Sequence, residues 1–196
     1  MSKPQIIGIA GTNGSGKDTA GHMLADKHGY LFISVTDLLR AEAQRRGQPI
    51  EREVLRDISA EWRRELGLGV LVDKAVAEYQ TVKDQYVGVV MASMRNPGEA
   101  DRIHQLGGTM VWLDADARTR YDRVQANAAA RNRAEEDNKT FEQFQAEEAA
   151  EMHSSGDAAT LDGAAVKALC DISIMNDSPD LETLHLKLEA ALGLQT

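Results

Sequence analysis

Residues Gly11-Thr12-Asn13-Gly14-Ser15-Gly16-Lys17-Asp18-Thr19 have the types and spacing needed to hold a polyphosphate. The pattern Gly-x-x-x-x-Gly-Lys lets successive backbone N–H groups point inward with no Cβ in the way. Those amides and the N-terminus of a following helix make a nest for anions. Lys17 adds a mobile positive charge for the outer phosphates. The usual hydroxyl after the lysine, which meets Mg²⁺, is replaced by Asp18, with Thr19 next. A carboxylate is also a hard oxygen ligand for magnesium, although it repels phosphate unless the metal is there. Asp18 and Thr19 are therefore the candidate metal residues, and ATP with Mg²⁺ the expected cofactor pair.

Other charged residues occur where strands are expected to end. Thr36, Asp37 and Arg40 follow the second apolar run, and Arg95 follows the third. Arg118, Arg120, Arg123, Arg131 and Arg133 are spread over a later helix and polar stretch. Transfer of a phosphoryl group between two anionic partners needs charge neutralisation and positioning above all. Arginine suits that task because its planar fork grips phosphate with two bonds. Thr36, Asp37, Arg40 and Arg95 are the candidate acceptor-binding residues. Lys17, Asp37, Arg95, Arg123 and Arg131 are the candidate catalytic ones. Asp37 is the general-base candidate if the acceptor is a hydroxyl, and an orienting group if it is already a phosphate.

The elements that must position these residues alternate. Strands are expected at Gln5–Ala10, Tyr30–Ser34, Tyr86–Ala92, Thr109–Leu113 and Ile172–Met175. Helices are expected at Lys17–His28, at Thr36–Arg46 with Thr36 or Asp37 as cap, and at Ile50–Leu66, Val70–Gln80 and Pro97–Gln105. Ala117–Ala130, Thr140–Met152 and Leu181–Leu192 complete the set. Strands separated by helices predict an α/β fold with a parallel sheet covered on both faces, its ligands at the carboxyl ends of the strands.

Composition narrows the function. The 196 residues, 42% of them hydrophobic and 27% charged, fit a single domain spanning 1–196. A net charge of −9 argues against nucleic-acid or membrane partners and for a small-molecule substrate. The lone Cys170 suits a reducing compartment and reads as buried and inert, and no apolar run approaches a membrane span, so a cytoplasmic enzyme is expected. Oligomeric state stays open between monomer and homodimer. The five histidines show no metal-ligand spacing, and Glu147, Glu148 and Glu151 read as a solvated acidic face. Trp62 and Trp112 read as core or groove packing, with Trp62, between the second and third strands, also a candidate to flank the acceptor.

Ser34-Val35-Thr36-Asp37-Leu38-Leu39-Arg40 resembles the Ser-Thr-Gly-Asp-Leu-Leu-Arg segment of adenylate kinases. Together with the glycine loop, Met94-Arg95-Asn96-Pro97 and Asp171-Ile172-Ser173-Ile174-Met175-Asn176, it makes the chain similar to P-loop nucleotide kinases of the dephospho-CoA kinase-like and adenylate kinase-like groups. Gly16-Lys17-Asp18-Thr19 also resembles phage deoxynucleoside-monophosphate kinases and phosphomevalonate kinases. The resemblance implies a three-layer P-loop fold with a five-stranded parallel sheet, an acceptor-binding region near 36–80 and a helical lid near 118–152. It implies a γ-phosphoryl transfer from ATP to a nucleoside monophosphate or dephospho-CoA, with Arg40 on the acceptor phosphate and Asn176 near the adenine. The alternative is a nucleotide-binding regulatory protein with weak ATPase activity. Relatives carry an acid after the third strand; this chain has Val90-Met91-Ala92-Ser93 there, so Asp18 is expected to supply the missing magnesium carboxylate.

Overall fold

Five apolar runs pair into one all-parallel sheet in a computed structural model that describes residues 4–127, 139–153 and 155–195. The strands are β1 (Ile6–Gly11), β2 (Tyr30–Ser34), β3 (Gly88–Met94), β4 (Thr109–Asp114) and β5 (Ile172–Met175), in the spatial order β2-β3-β1-β4-β5. The first strand is central because the chain leaves it for β2, two places away, and returns to fill the gap with β3. β1 is then the point where the strand order turns outward in both directions, and a crevice opens at its carboxyl end.

Nine α-helices cover the sheet among the described residues. They are α1 (Lys17–His28), α2 (Val35–Arg45), α3 (Arg52–Leu66), α4 (Val70–Val82), α5 (Pro97–Gln105), α6 (Ala117–Ala126), α7 (Phe141–Met152), α8 (Gly163–Leu169) and α9 (Leu181–Leu192). None is long and apolar enough to cross a membrane. Both sheet faces are buried, so β3 is apolar almost throughout, as a central parallel strand must be. Its side chains divide by parity. Val89 and Met91 join Leu39, Ile58, Leu71 and Ile103 on one face. Val90 and Ala92 join Ile7, Leu24 and Leu188 on the other, where α1 and α9 lie. Trp62 and Trp112 belong to the first of these cores.

Several details depart from the sequence expectations, among them β3, which runs Gly88–Met94 instead of the expected Tyr86–Ala92 and so takes in Ser93. α2 starts at Val35, straight off β2, so the N-cap position is Ser34 and it makes no side-chain cap bond; Thr36 and Asp37 sit in the first turn instead of capping it. α8 was not expected, because seven residues are too few to show a helical period; the Asp162 carboxylate caps it by accepting from the Ala165 amide. The α6 helix ends at Ala126 within the described residues, and 128–138, which hold Arg131 and Arg133, lie outside them. Cys170 follows α8, half-buried, with its thiol donating to the Val166 carbonyl at 3.3 Å. Burial, and then the charge of Asp171, push the thiol up to about 12, which leaves it a poor nucleophile.

Candidate functional site

The glycine loop forms at the end of β1 because only glycine fits there. Gly11 has φ +143°, and a Cβ on it would lie 1.9 Å from the Leu113 carbonyl oxygen. Gly16 has φ +97° at the N-cap of α1, with the Asn176 amide nitrogen 2.9 Å from where a Cβ would stand. The resulting cradle is shaped by backbone on one side and opens to a cleft on the other, and it fits an anion that approaches amides closely. Lys17 is mostly buried, and its Nζ donates to the Thr12 carbonyl at 2.6 Å across the loop.

Three side chains outside the motif brace this loop. The Thr12 hydroxyl donates to Asp114 at the end of β4 at 2.7 Å. The Asn176 amide donates to the Ser15 carbonyl at 2.9 Å, and its backbone N–H donates to the Asp114 carbonyl at 2.7 Å. Arg120, nearly fully buried, donates to Ala115 O at 2.7 Å and to Asn13 O at 3.4 Å. Burial alone would raise the Asp114 carboxyl. Hydrogen bonds from the Thr12 hydroxyl, the Trp112 indole and the Ala115 amide, with Arg120 nearby, outweigh it and hold the group below the usual carboxylate range. An anionic Asp114 thus fixes the start of the loop. The sequence reading missed it, since a single acid at a strand end carries no spacing signal.

The cleft holds about 610 Å³ and brings together most of the residues that sequence spacing singled out. Lys17, Asp18 and Thr19 line it from the loop and α1. Thr36, Asp37 and Arg40 line it from α2, Arg95 from the end of β3, and Arg123 and Asn176 from the far wall. Asp18 and Thr19 are exposed in the first turn of α1. They offer a carboxylate and a hydroxyl beside the cradle, a hard-oxygen donor set that suits Mg²⁺. Asp37 is paired with Arg40 at 2.6 Å. Arg123 donates to the carbonyls of Asn176 at 2.7 Å and Ser178 at 2.9 Å, so it holds the loop after β5 against α6.

At Ser93, in the stretch where the sequence offers no acid, β3 carries a distortion. Ile9 of β1 pairs with Ala92 but Ala10 pairs with Met94, so Ser93 is an extra residue. Its φ is +75°, the one positive value outside glycine among the described residues, and it faces the cleft. Such a bulge costs on the order of 1–3 kcal/mol and re-aims a side chain.

The acidic helix was misread. Glu147, Glu148 and Glu151 of α7 face basic side chains and not water alone: Arg52, Arg56 and Arg95 of the cleft, and Arg120, which braces the loop. Glu151 collects three guanidinium groups: it pairs with Arg95, lies 2.5 Å from Arg56 and 3.8 Å from Arg52. Glu147 receives Arg52 at 3.3 Å and Lys139 at 2.5 Å, and Glu148 takes Arg120 with both oxygens. Burial raises the Glu151 carboxyl, but Arg95, Arg52 and Arg56 pull it below the ordinary range, so it is ionised. Arg52 and Arg56 lie one turn apart on α3 and face the cleft beside Arg95. Their i, i+4 spacing was the available signal, and it looked like any helix surface.

Comparison with known proteins agrees with this architecture. The model of a family described as AAA domain matches residues 7–149. A shikimate kinase from Gloeobacter violaceus is 33% identical over 135 residues, covering 67% of this chain and 68% of that protein. A UPF0200 protein from Pyrobaculum aerophilum is 27% identical over 191 residues, 95% of this chain and 96% of its own length. Among solved structures, a shikimate kinase from Acinetobacter baumannii in complex with shikimate superposes with a TM-score of 0.55 at 15% identity, covering 99% of this chain and 96% of that one.

Proposed function

Because the chain belongs to this AAA-domain family and carries the P-loop kinase fold, we propose that it is an ATP-dependent small-molecule kinase whose acceptor carries an anionic group. The observation that carries this reading is that Lys17 of the glycine loop and the arginines Arg40 and Arg95 open onto one cleft, which this reading takes as donor half and acceptor half. A nucleotide hydrolase has no use for the second half. In this reading the loop amides and Lys17 hold the phosphates of ATP, and Asp18 and Thr19 hold Mg²⁺, which would neutralise the charge of the transferred group. Arg40, Arg52, Arg56 and Arg95 hold the acceptor's anion, and Asn176 and Arg123 keep the far wall in place.

A nucleoside monophosphate or dephospho-CoA fits the phosphate-binding character of arginine. A second reading, a small hydroxy acid, is favoured by Glu151: a carboxylate already rests among three of these arginines. It also agrees with what the name of the Gloeobacter relative says of that protein. Asp37 would then accept the proton of the attacking hydroxyl, after release from Arg40.

The test is a thermal-shift panel with ATP and Mg²⁺ against AMP, CMP, UMP, dTMP, dGMP, dephospho-CoA and shikimate, followed by ADP release with any compound that stabilises. An acceptor bound beside the nucleotide should raise the melting temperature beyond ATP alone. Stabilisation by ATP with no response to any acceptor, and no ADP release, would favour a nucleotide-binding regulator.

Asp18 gives a separate prediction. Asp18→Ala should shift the Mg²⁺ dependence of turnover to roughly tenfold higher concentration or more, as expected when a metal loses one carboxylate held near it. An unchanged magnesium titration would remove Asp18 from the metal site and leave Thr19 as its protein ligand.

A further inference from the structure

Two histidines that sequence spacing left unconnected meet at the end of α1 remote from the glycine loop. His28 closes α1, and His185 lies on α9 one turn before Glu189. The i, i+4 placement puts His185 and Glu189 on one helix face. His28 Nε2 lies 3.0 Å from Glu189 Oε1 and 3.3 Å from His185 Nε2, and His185 Nε2 lies 3.1 Å from Glu189 Oε1. These three atoms form a nearly equilateral triangle. Zinc held tetrahedrally at about 2.0–2.1 Å from each donor sets its ligand atoms about 3.3 Å apart. The triangle is therefore close to the face of a coordination tetrahedron already.

The surroundings suit a cation. His185 is buried, and the side chains of His28 and Glu189 are 10% and 18% exposed. The C-terminal carbonyls of α1 carry the negative end of its dipole. Glu182 and Glu189 bring two carboxylates against the single ammonium of Lys27. Lys27 can only donate, so His185 Nδ1 accepts from it at 3.0 Å, and the proton of a neutral ring then sits on Nε2. Metal binding exchanges that arrangement. The ring proton moves from Nε2 to Nδ1, freeing Nε2 for the metal, and Nδ1–H turns from Lys27 to Glu182, already 3.5 Å away, while Lys27 keeps its separate contact to Glu182 at 3.0 Å. A carboxylate behind a ligating imidazole is the usual orienting partner.

We propose that His28, His185 and Glu189 form a binding site for a late first-row divalent ion of the Zn²⁺ type, with water in the fourth position. Two imidazoles and one carboxylate match that class. The ion clamps α1 to α9. α1 is 12 residues, about 18 Å long, so the clamp acts on the helix that carries the glycine loop without touching the nucleotide cleft.

The full chain, stripped with chelator and dialysed, is titrated with Co²⁺ alone and then with Zn²⁺ alone. One equivalent of Co²⁺ should give the intense visible absorption of a tetrahedral site, and Zn²⁺ should bleach it. Saturating Zn²⁺, at about a hundredfold above Kd, should raise the melting temperature by roughly 5–10 °C. Glu189→Gln and His185→Gln should each abolish the spectrum, whereas Asp18→Asn, at the other end of α1, should keep it. A parent chain with no tetrahedral Co²⁺ spectrum overturns the proposal, and it needs no variant to fold. An equal spectrum in Glu189→Gln overturns it too, since the ion would then sit elsewhere.

Discussion

Lys17→Met should abolish the rise in melting temperature that ATP with Mg²⁺ gives the parent chain, and should lower phosphoryl transfer by at least about a hundredfold. The reason is geometric. Lys17 is 7% exposed, fixed by the first turn of α1, and its Nζ crosses the loop to the Thr12 carbonyl at 2.6 Å. The ammonium is thus held over the cradle before any anion arrives, and a preorganised charge loses little when the phosphates enter. Removing one such preorganised charge costs about 10²–10³ in rate. The fold should survive. Methionine keeps the length of the stem and introduces no unpaired charge. The Thr12 carbonyl still accepts the Ser15 amide at 3.3 Å. Melting curves without nucleotide should therefore overlay, within about 2 °C, those of the parent. A variant that folds normally and keeps its ATP-induced shift would take Lys17 out of the donor site, and with it the kinase reading.

The existence of the five strands, the loop and the placement of Asp18, Asp37, Arg40 and Arg95 at strand ends follow from local signals, whereas the strand order came from the structure. Apolar runs of strand length, glycines at fixed offsets and residues just past strand ends are all contiguous in the chain. The sheet then brings those ends together by topology alone. What the sequence concealed depends on pairs far apart. Asp114 braces Thr12 across 102 positions, and Glu151 reaches Arg95 across 56. His28 meets His185 across 157. The acidic face of α7 shows the same difficulty from the other side. Charged residues at helical spacing look identical whether water or a row of arginines lies opposite. Only the tertiary partner decides, and α7 has Arg52, Arg56, Arg95 and Arg120 opposite it. Because Glu151 already sits among the arginines that would receive an acceptor's anion, acceptor binding in the proposed function has to displace it. Glu151 thus offsets part of the positive charge of the acceptor half until a stronger or better-placed anion competes, whereas the donor half offers its cradle directly.

Arg63→Met should destabilise the chain by about 3–5 kcal/mol, the cost of breaking a buried ion pair from one side. Arg63 and Glu99 are 3% and 0% exposed, and the pair is held at 2.7 Å and 3.2 Å from two guanidinium nitrogens to one carboxylate oxygen. The remaining guanidinium donor serves the Ser59 hydroxyl at 3.1 Å and the Ala159 carbonyl at 3.0 Å. The second oxygen of Glu99 accepts the backbone amides of Arg95 at 2.8 Å and Asn96 at 3.1 Å, completing the capping box that starts α5. Asn96 in turn donates to the carbonyls of Ala158 and Thr160, both at 2.7 Å. One node therefore joins α3, α5 and the segment before α8, and it fixes the backbone from which Arg95 reaches the cleft. Methionine fills the space of the arginine stem but leaves a buried carboxylate without its counter-charge and the Ala159 carbonyl without its donor. For a chain of this size the loss corresponds to a melting temperature lower by roughly 6–20 °C. Adding Glu99→Met should recover only part of it. The second change removes the unpaired charge, but it also strips the amides of Arg95 and Asn96 of their acceptor. Urea melts of the parent, both single variants and the double variant give the coupling energy directly. A single-variant loss below about 1 kcal/mol would mean that water reaches Glu99 when Arg63 is gone, and that the node is not what holds Arg95 in place.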